Sequence, residues 1–350
     1  MAHSAPDREA PASSLGPVLT AAQAAIYESL VVPRYVATFA RPAIEMLLDH
    51  KPAVVAQLGC RTGYPAREIV EKLGPLRLCG VDSSPEALEL ARTKAALVPG
   101  ARAEYALADG FPTPLGEGMF THAFALHPPG PRGNYLPVLG ELHRLLAPGG
   151  QVVVSVPLRG SFPELYDMLR EYALRRDRAS FGEAVDAAAA GRPNPEMLAE
   201  QCEQLGLLDV DVGVELVGLS FANGRDFLDD PISRLVVEPD LRLSLDVDDE
   251  LAQDALRYVE DAVAKYWSEV GFELTVNVGC VSARKRASPP APVAVAPAPP
   301  LPRPSVPGPP PLPRPSVPGP PPGAPGGPDS KPASSARRPL PPPRSGRKTS

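Results

Sequence analysis

Long hydrophobic runs are missing from this 350-residue chain. No stretch of about 18 apolar residues occurs, so no membrane-spanning helix is expected. The opening MAHSAPDREAPASSLGPV lacks the basic start and apolar core of a secretion signal. Cysteine is scarce. Cys60, Cys79, Cys202 and Cys280 are scattered, with no CxxC pair and no histidine pair nearby. That spacing argues against a structural zinc and reads as buried thiols in a reducing compartment. A cytoplasmic location and no metal are therefore expected.

Positive charge is also scarce, over most of the chain. The net charge of −6 conceals two regions. Residues 285–350 hold ten Lys/Arg against one acid (Asp329) and 25 of the 48 prolines, a net of about +9. The remainder has 25 basic and 40 acidic residues, a net of about −15. An acidic body is a poor partner for phosphates, so nucleic-acid binding by the folded part is not expected. Residues 1–18 are small, polar and proline-containing and read as disordered, and 287–350 read as a disordered, polyproline-like tail. In that tail LPRPSVPGPPP at Leu301 recurs at Leu312.

What is present between these ends is an alternation. AVVAQL, LRLCGVD, AEYALAD, MFTHAFAL and GGQVVVSVP read as strands; PAREIVEKLG, SPEALELARTKAAL and YLPVLGELHRLL read as helices between them. Strands and helices alternating over short joins imply an α/β fold with a parallel sheet covered on both faces. A helical stretch broken by Pro33 and Pro42 precedes it. After Pro157 come SFPELYDMLREYALRR and NPEMLAEQCEQLG as helices, DVDVGVELVGLSF as a strand, a long amphipathic helix from Asp248, and FELTVNVGCVSARK as a closing strand.

The first strand ends in QLGCRTGYPA. Gly59 and Gly63 place no side chain between backbone and an approaching ligand. Asp82 follows at the end of the second strand, about 20 residues on, where a carboxylate can accept both hydroxyls of a ribose. The competing reading of Asp82 is a helix cap, with Ser83 and Ser84 leading into Pro85. Asp109, after the third strand, can accept a hydrogen bond from an exocyclic amine; alone it reads equally as a turn residue.

The ordered set LGCRTG (Leu58–Gly63), GVDSSPEALELAR (Gly80–Arg92), ALADGFPTPL (Ala106–Leu115) and VLGELHRLLAPGGQVVVSVP (Val138–Pro157) resembles the class I S-adenosylmethionine-dependent methyltransferases. The resemblance is to their small-molecule branch, which includes ubiquinone-, menaquinone- and biotin-pathway members (the methyltransferase type 11 group). It runs from about Ala21 to Arg286. It implies a Rossmann-like sheet of seven strands, the last antiparallel, within a domain spanning 19–286, with substrate-covering helices at about 160–206. It also implies S-adenosyl-L-methionine as cofactor. Gln57, Gly59, Cys60, Arg61 and Gly63 would then line its methionine part, Asp82 and Ser83 its ribose, and Asp109 and Gly110 its adenine. The implied activity is methyl transfer to a small-molecule or lipid-like acceptor.

Two residues depart from the family pattern. Gln57 stands where Asp or Glu is usual, and Arg61 where Gly is usual. Both lie at the methionine end. They leave open a second reading, a weakened or inactive methyltransferase-like binding protein. His127 follows the fourth strand in FALHPPG and is the candidate general base, its ordinary pKa near 6.5 suiting proton removal; the alternative is a loop histidine held by Pro128 and Pro129. The tail over 299–322 has PxxP spacing beside arginine, the form taken by ligands of polyproline-binding proteins; the alternative is a solubilising extension.

Overall fold

The computed structural model describes residues 15–287, all within one compact unit, Met1–Ala291. The tail readings, including the polyproline partner of 299–322, and residues 1–14 lie outside the described residues. Seven strands form one sheet: β1 (Ala53–Leu58), β2 (Leu76–Asp82), β3 (Ala101–Leu107), β4 (Phe120–Leu126), β5 (Leu146–Pro157), β6 (Leu208–Phe221) and β7 (Phe272–Arg284). Their order is β3-β2-β1-β4-β5-β7-β6. Pairing is parallel from β3 through β5, and β7 runs antiparallel to both neighbours. This is the expected Rossmann-like sheet with its last strand reversed. The order turns back at β1/β4, so the carboxyl ends of β1, β2 and β4 open a crevice between diverging connections.

The helices are α1 (Ala21–Ile26), α2 (Ala37–Glu45), α3 (Ala66–Leu73), α4 (Pro85–Ala95), α5 (Leu136–Leu145), α6 (Pro163–Arg175), α7 (Ala179–Gly191), α8 (Pro195–Gln204), α9 (Gly224–Asp229), α10 (Glu238–Leu245) and α11 (Asp249–Tyr266). Each sheet face is sealed by a different set. Ala43, Ile69 and Leu73 of α2 and α3 pack with Val55, Leu78 and Phe124 on one face. Leu139, Leu142 and Leu145 of α5, with Leu198 and Cys202 of α8, pack with Leu58, Val81 and Val154 on the other. Because successive strand residues point to opposite faces, Val55 and Gln57 go one way and Ala56 and Leu58 the other. All four cysteines are unpaired and buried. No helix among the described residues is long and apolar enough to cross a membrane.

The N-terminal helix is continuous where two prolines were expected to break it. Tyr27–Val36 joins α1 to α2 as a wider, π-type stretch containing Pro33, and Pro42 sits within α2. The wider winding relocates the hydrogen bonds that a proline interrupts. A second correction concerns residues 15–18, expected to be disordered. Leu15 is 3% exposed, and Leu19 just after it is equally buried. Burying each contributes roughly 2 kcal/mol. Sequence reading also passed over α7 and the region of α9 and α10. Those elements join α6, α11 and the N-terminal helix in one apolar cluster above the carboxyl end of the sheet.

Candidate functional site

The turn after β1 is built on left-handed backbone. Gly59, Arg61 and Gly63 have φ of 60°, 48° and 78°. Gly63 has to be glycine. A Cβ there would lie 2.9 Å from both Ala91 Cβ and Tyr105 Oη. Arg61 adopts without strain-free help a conformation that glycine takes easily, at about 1 kcal/mol or more. Its guanidinium offsets this: Nη1 donates to the Pro17 carbonyl (2.6 Å) and lies 3.6 Å from Asp82 Oδ1. The turn is pinned to the N-terminal helix by Glu28. Thr62 Oγ1 donates to Glu28 Oε2 at 2.6 Å, and Lys94 Nζ pairs with Glu28 Oε1 at 2.5 Å.

Asp82 ends β2 with no exposed surface. Its Oδ2 accepts from the Arg61 amide (2.8 Å) and its Oδ1 from the Ser84 amide (2.9 Å). The bond to the Ser84 amide is an Asx-type turn just ahead of α4, whose N-cap is Ser84 itself, and the carboxylate also braces the glycine turn. Ala108 N donates to the Asp82 carbonyl at 3.0 Å. Asp109 thus emerges at the same end of the sheet as Asp82, but exposed, with Gly110 half-buried beside it. The connection after β3 is tied to α5 through Glu141, which accepts from the Thr113 amide (2.8 Å) and hydroxyl (2.5 Å) and pairs with Arg144 (2.6 Å). Burial pushes the Glu141 carboxyl up, but these bonds outweigh it and hold it below the usual range.

The space beside Asp82 is not open. Residues 15–19 run across the ends of β1 and β2 and fill it. The Leu15 carbonyl sits over Gly59, 3.3 Å from where a Cβ would be. Ser83 Oγ donates to the Gly16 carbonyl (2.9 Å), and the Leu19 amide donates to Ser84 Oγ (2.9 Å). Ser84 stands at the N-cap of α4 yet makes no side-chain cap; its hydroxyl goes to this strap instead. Leu15 joins the apolar cluster of Leu58, Val81 and Ala108.

Gln57, only 2% exposed, donates from Nε2 to the Tyr64 carbonyl at 2.7 Å. Its Oε1 is buried with no partner. A lone buried acceptor is costly, and it sits where the resemblance places the cofactor's ammonium. Cys60 does not face the crevice in the same way. Its Sγ lies by Gly80, and burial pushes its thiol well above the usual range.

A cavity of about 90 Å³ adjoins the turn. Gly59 and Arg61 line one end; Tyr35, Leu126, His127 and Asp240 line the other. His127 has a φ of 46°, its amide donating to the Ser155 carbonyl at 2.7 Å. Nε2 is 3.3 Å from Tyr35 Oη, and the ring meets Tyr35 and Phe39 edge-on. Burial, with Arg192 and Arg61 acting the same way against Asp240, brings its pKa down to about 4. His127 is therefore neutral at pH 7 and a weaker base than an ordinary imidazole. Asp240, from the unforeseen α10, pairs with the buried Arg192, whose guanidinium lies 4.9 Å from the Phe162 ring centre. Nothing in the local sequence near Asp240 marks it; its partner lies 48 residues away. Among the described residues no group of three His, Cys, Asp or Glu could hold a metal ion.

A family model described as a methyltransferase domain matches residues 55–150, which span the turn, Asp82, Asp109 and His127. Residues 55–150 therefore match a methyltransferase domain. The domain is similar to the demethylmenaquinone methyltransferase of Thermus thermophilus, 33% identical over 132 residues, covering 36% of this chain and 58% of that protein. It is also similar to the trans-aconitate 2-methyltransferase of an Acidovorax species, 29% identical over 168 residues, covering 47% and 62%. The chain thus spans about three-fifths of the length of these curated relatives. Among solved structures, a putative methyltransferase from Bacillus halodurans superposes with a TM-score of 0.45 at 14% identity, covering 72% of this chain and 99% of that one.

Proposed function

We propose that this chain is an S-adenosylmethionine-dependent methyltransferase acting on a small, largely apolar acceptor. The observation that carries the reading is the cavity joining Gly59 and Arg61 to His127 and Asp240, because transfer needs donor and acceptor in one water-poor space. S-adenosylmethionine supplies a methyl group on a positively charged sulfur. With residues 15–19 off the turn, the residues present would fit it. The glycine turn would then admit close backbone approach, the unpartnered Gln57 Oε1 can accept from an ammonium, and Asp82 would take the ribose hydroxyls in exchange for its bonds to the Arg61 and Ser84 amides. Asp109 and Gly110 lie one strand over for the adenine.

Leu126, Val138, Leu235, Val236 and Leu243 give the acceptor end an apolar wall. Asp240 adds a carboxylate there, which disfavours an anionic acceptor. The neutral His127 and Asp240 can instead accept a hydrogen bond from one hydroxyl or amine and aim it. A hydroxylated, quinol-like or lipid-like acceptor fits this better than a tricarboxylate of the trans-aconitate kind. Transfer of tritium from methyl-labelled S-adenosylmethionine to a panel holding both classes tests this. Label in the apolar hydroxylated members is expected; label confined to polyanions refutes the acceptor class.

One observation favours a second reading, a ligand-binding or scaffold protein of the same shape. Both Asp82 oxygens are already engaged by the chain itself. Binding of S-adenosylhomocysteine without transfer to any acceptor would favour it.

A further inference from the structure

Residues 15–19 meet the domain where a nucleoside would. Their hydrogen bonds use Ser83 and Ser84, they lie over Gly59, and Leu15 shares a buried apolar cluster with Val81 and Ala108. We propose that this strap is an intramolecular occupant of the nucleoside crevice and that Arg61 is its latch, so that an adenosyl ligand binds only as the strap leaves. The inference rests on the cofactor reading above.

Arg61 is the residue that departs from the glycine pattern of the turn, and the departure has a use. Its guanidinium reaches out of the turn to the Pro17 carbonyl and is only 17% exposed. Gly16 makes room for it. At a φ of 102°, a Cβ on Gly16 would overlap Arg61 Nη2. Gly16 and Arg61 are thus matched across the crevice, one small so that the other can cross.

The strap can peel away alone. It ends at Thr20, whose hydroxyl accepts from the Gln23 amide (3.3 Å) while the Thr20 amide donates to Gln23 Oε1 (2.9 Å). That reciprocal capping box closes α1 just beyond the strap, and of the cluster Leu19, Ala24 and Ala87 only Leu19 belongs to the strap, so Ala24 keeps α1 against Ala87 when Leu19 leaves. Release of residues 15–19 therefore need not unravel the helix behind them. A ligand that binds only the open state has its affinity lowered by the fraction of chains that are open. Loosening the latch should raise affinity without adding a contact.

The test uses the full chain and S-adenosylhomocysteine, in three forms: unaltered, Gly16→Ala and Arg61→Gly. Calorimetric titration is paired with hydrogen exchange at the Leu19 amide. Both variants are expected to bind at least tenfold more tightly. Leu19 should be protected in the unaltered free chain, exchange at least tenfold faster in the variants, and lose protection in the unaltered chain on saturation. Equal affinity in all three, or a Leu19 amide that stays protected with ligand bound, overturns the strap while leaving the cofactor reading intact. No binding by any form, including those with a released Leu19 amide, overturns the cofactor reading and the strap's role with it.

Discussion

Replacing His127 by Asn removes one buried imidazole and leaves a neutral residue that tolerates the φ of 46°. The structure holds His127 at a pKa of about 4, against an ordinary value near 6.5 in the unfolded chain. A folded pKa that is lowered means that the unfolded state takes up a proton first. Between pH 6.5 and 4 the native state thus loses stability as pH falls, and above that window it is unaffected. At pH 5 the linkage amounts to about 2 kcal/mol relative to pH 8, reaching roughly 3 kcal/mol below pH 4. His122 and His143 are also lowered, but they are common to both proteins. The assay is urea unfolding at pH 8 and pH 5 for each. The unaltered chain should lose about 2 kcal/mol more than His127→Asn over that interval. Equal losses would refute the claim that His127 is buried and neutral.

Gly63→Ala should cost about 2–3 kcal/mol, since the new methyl meets Ala91 and Tyr105 at 2.9 Å. Gly74→Ala meets no neighbour but sits at φ 80°, ψ −165°, a region nearly reserved for glycine, and should cost about 1–3 kcal/mol through the backbone alone; thermal unfolding measures both. Asp240→Ala leaves the Arg192 guanidinium buried and unpaired, which should cost about 3–5 kcal/mol. The double variant Asp240→Leu, Arg192→Met should recover most of that in urea titration. Gln57→Glu gives up the 2.7 Å bond to the Tyr64 carbonyl and should lower ligand-free stability by about 1–3 kcal/mol. It should nevertheless gain more melting temperature from S-adenosylhomocysteine than the unaltered chain does, because a charge-assisted bond to the ammonium is about twice as strong as a neutral one.

The sheet was legible because its signals are local. Apolar runs bounded by Gly and Pro mark β1 to β5, and the residues of the glycine turn and Asp82 follow one another at short spacing. The N-terminal helix defeated a local rule, since Pro33 ends an α-helix but is accommodated by wider winding. The acceptor side was less legible. Asp240, Arg192 and Tyr35 come together from three distant segments, and no periodicity announces a tertiary pair. The strap was misread for a related reason. LGPVL is small and weakly apolar, and its order comes from carbonyls and amides meeting Ser83, Ser84 and Arg61. Such backbone partners are invisible in residue types alone.

The central claim is that the crevice at the ends of β1 and β2 receives an adenosyl group. The most direct measurement is a crystal structure of the full chain grown with S-adenosylhomocysteine. Ribose hydroxyls hydrogen-bonded to Asp82, with residues 15–19 moved off Gly59, are the predicted result. Ligand bound elsewhere, or a crevice still filled by Leu15 and Gly16 at saturating ligand, would contradict it.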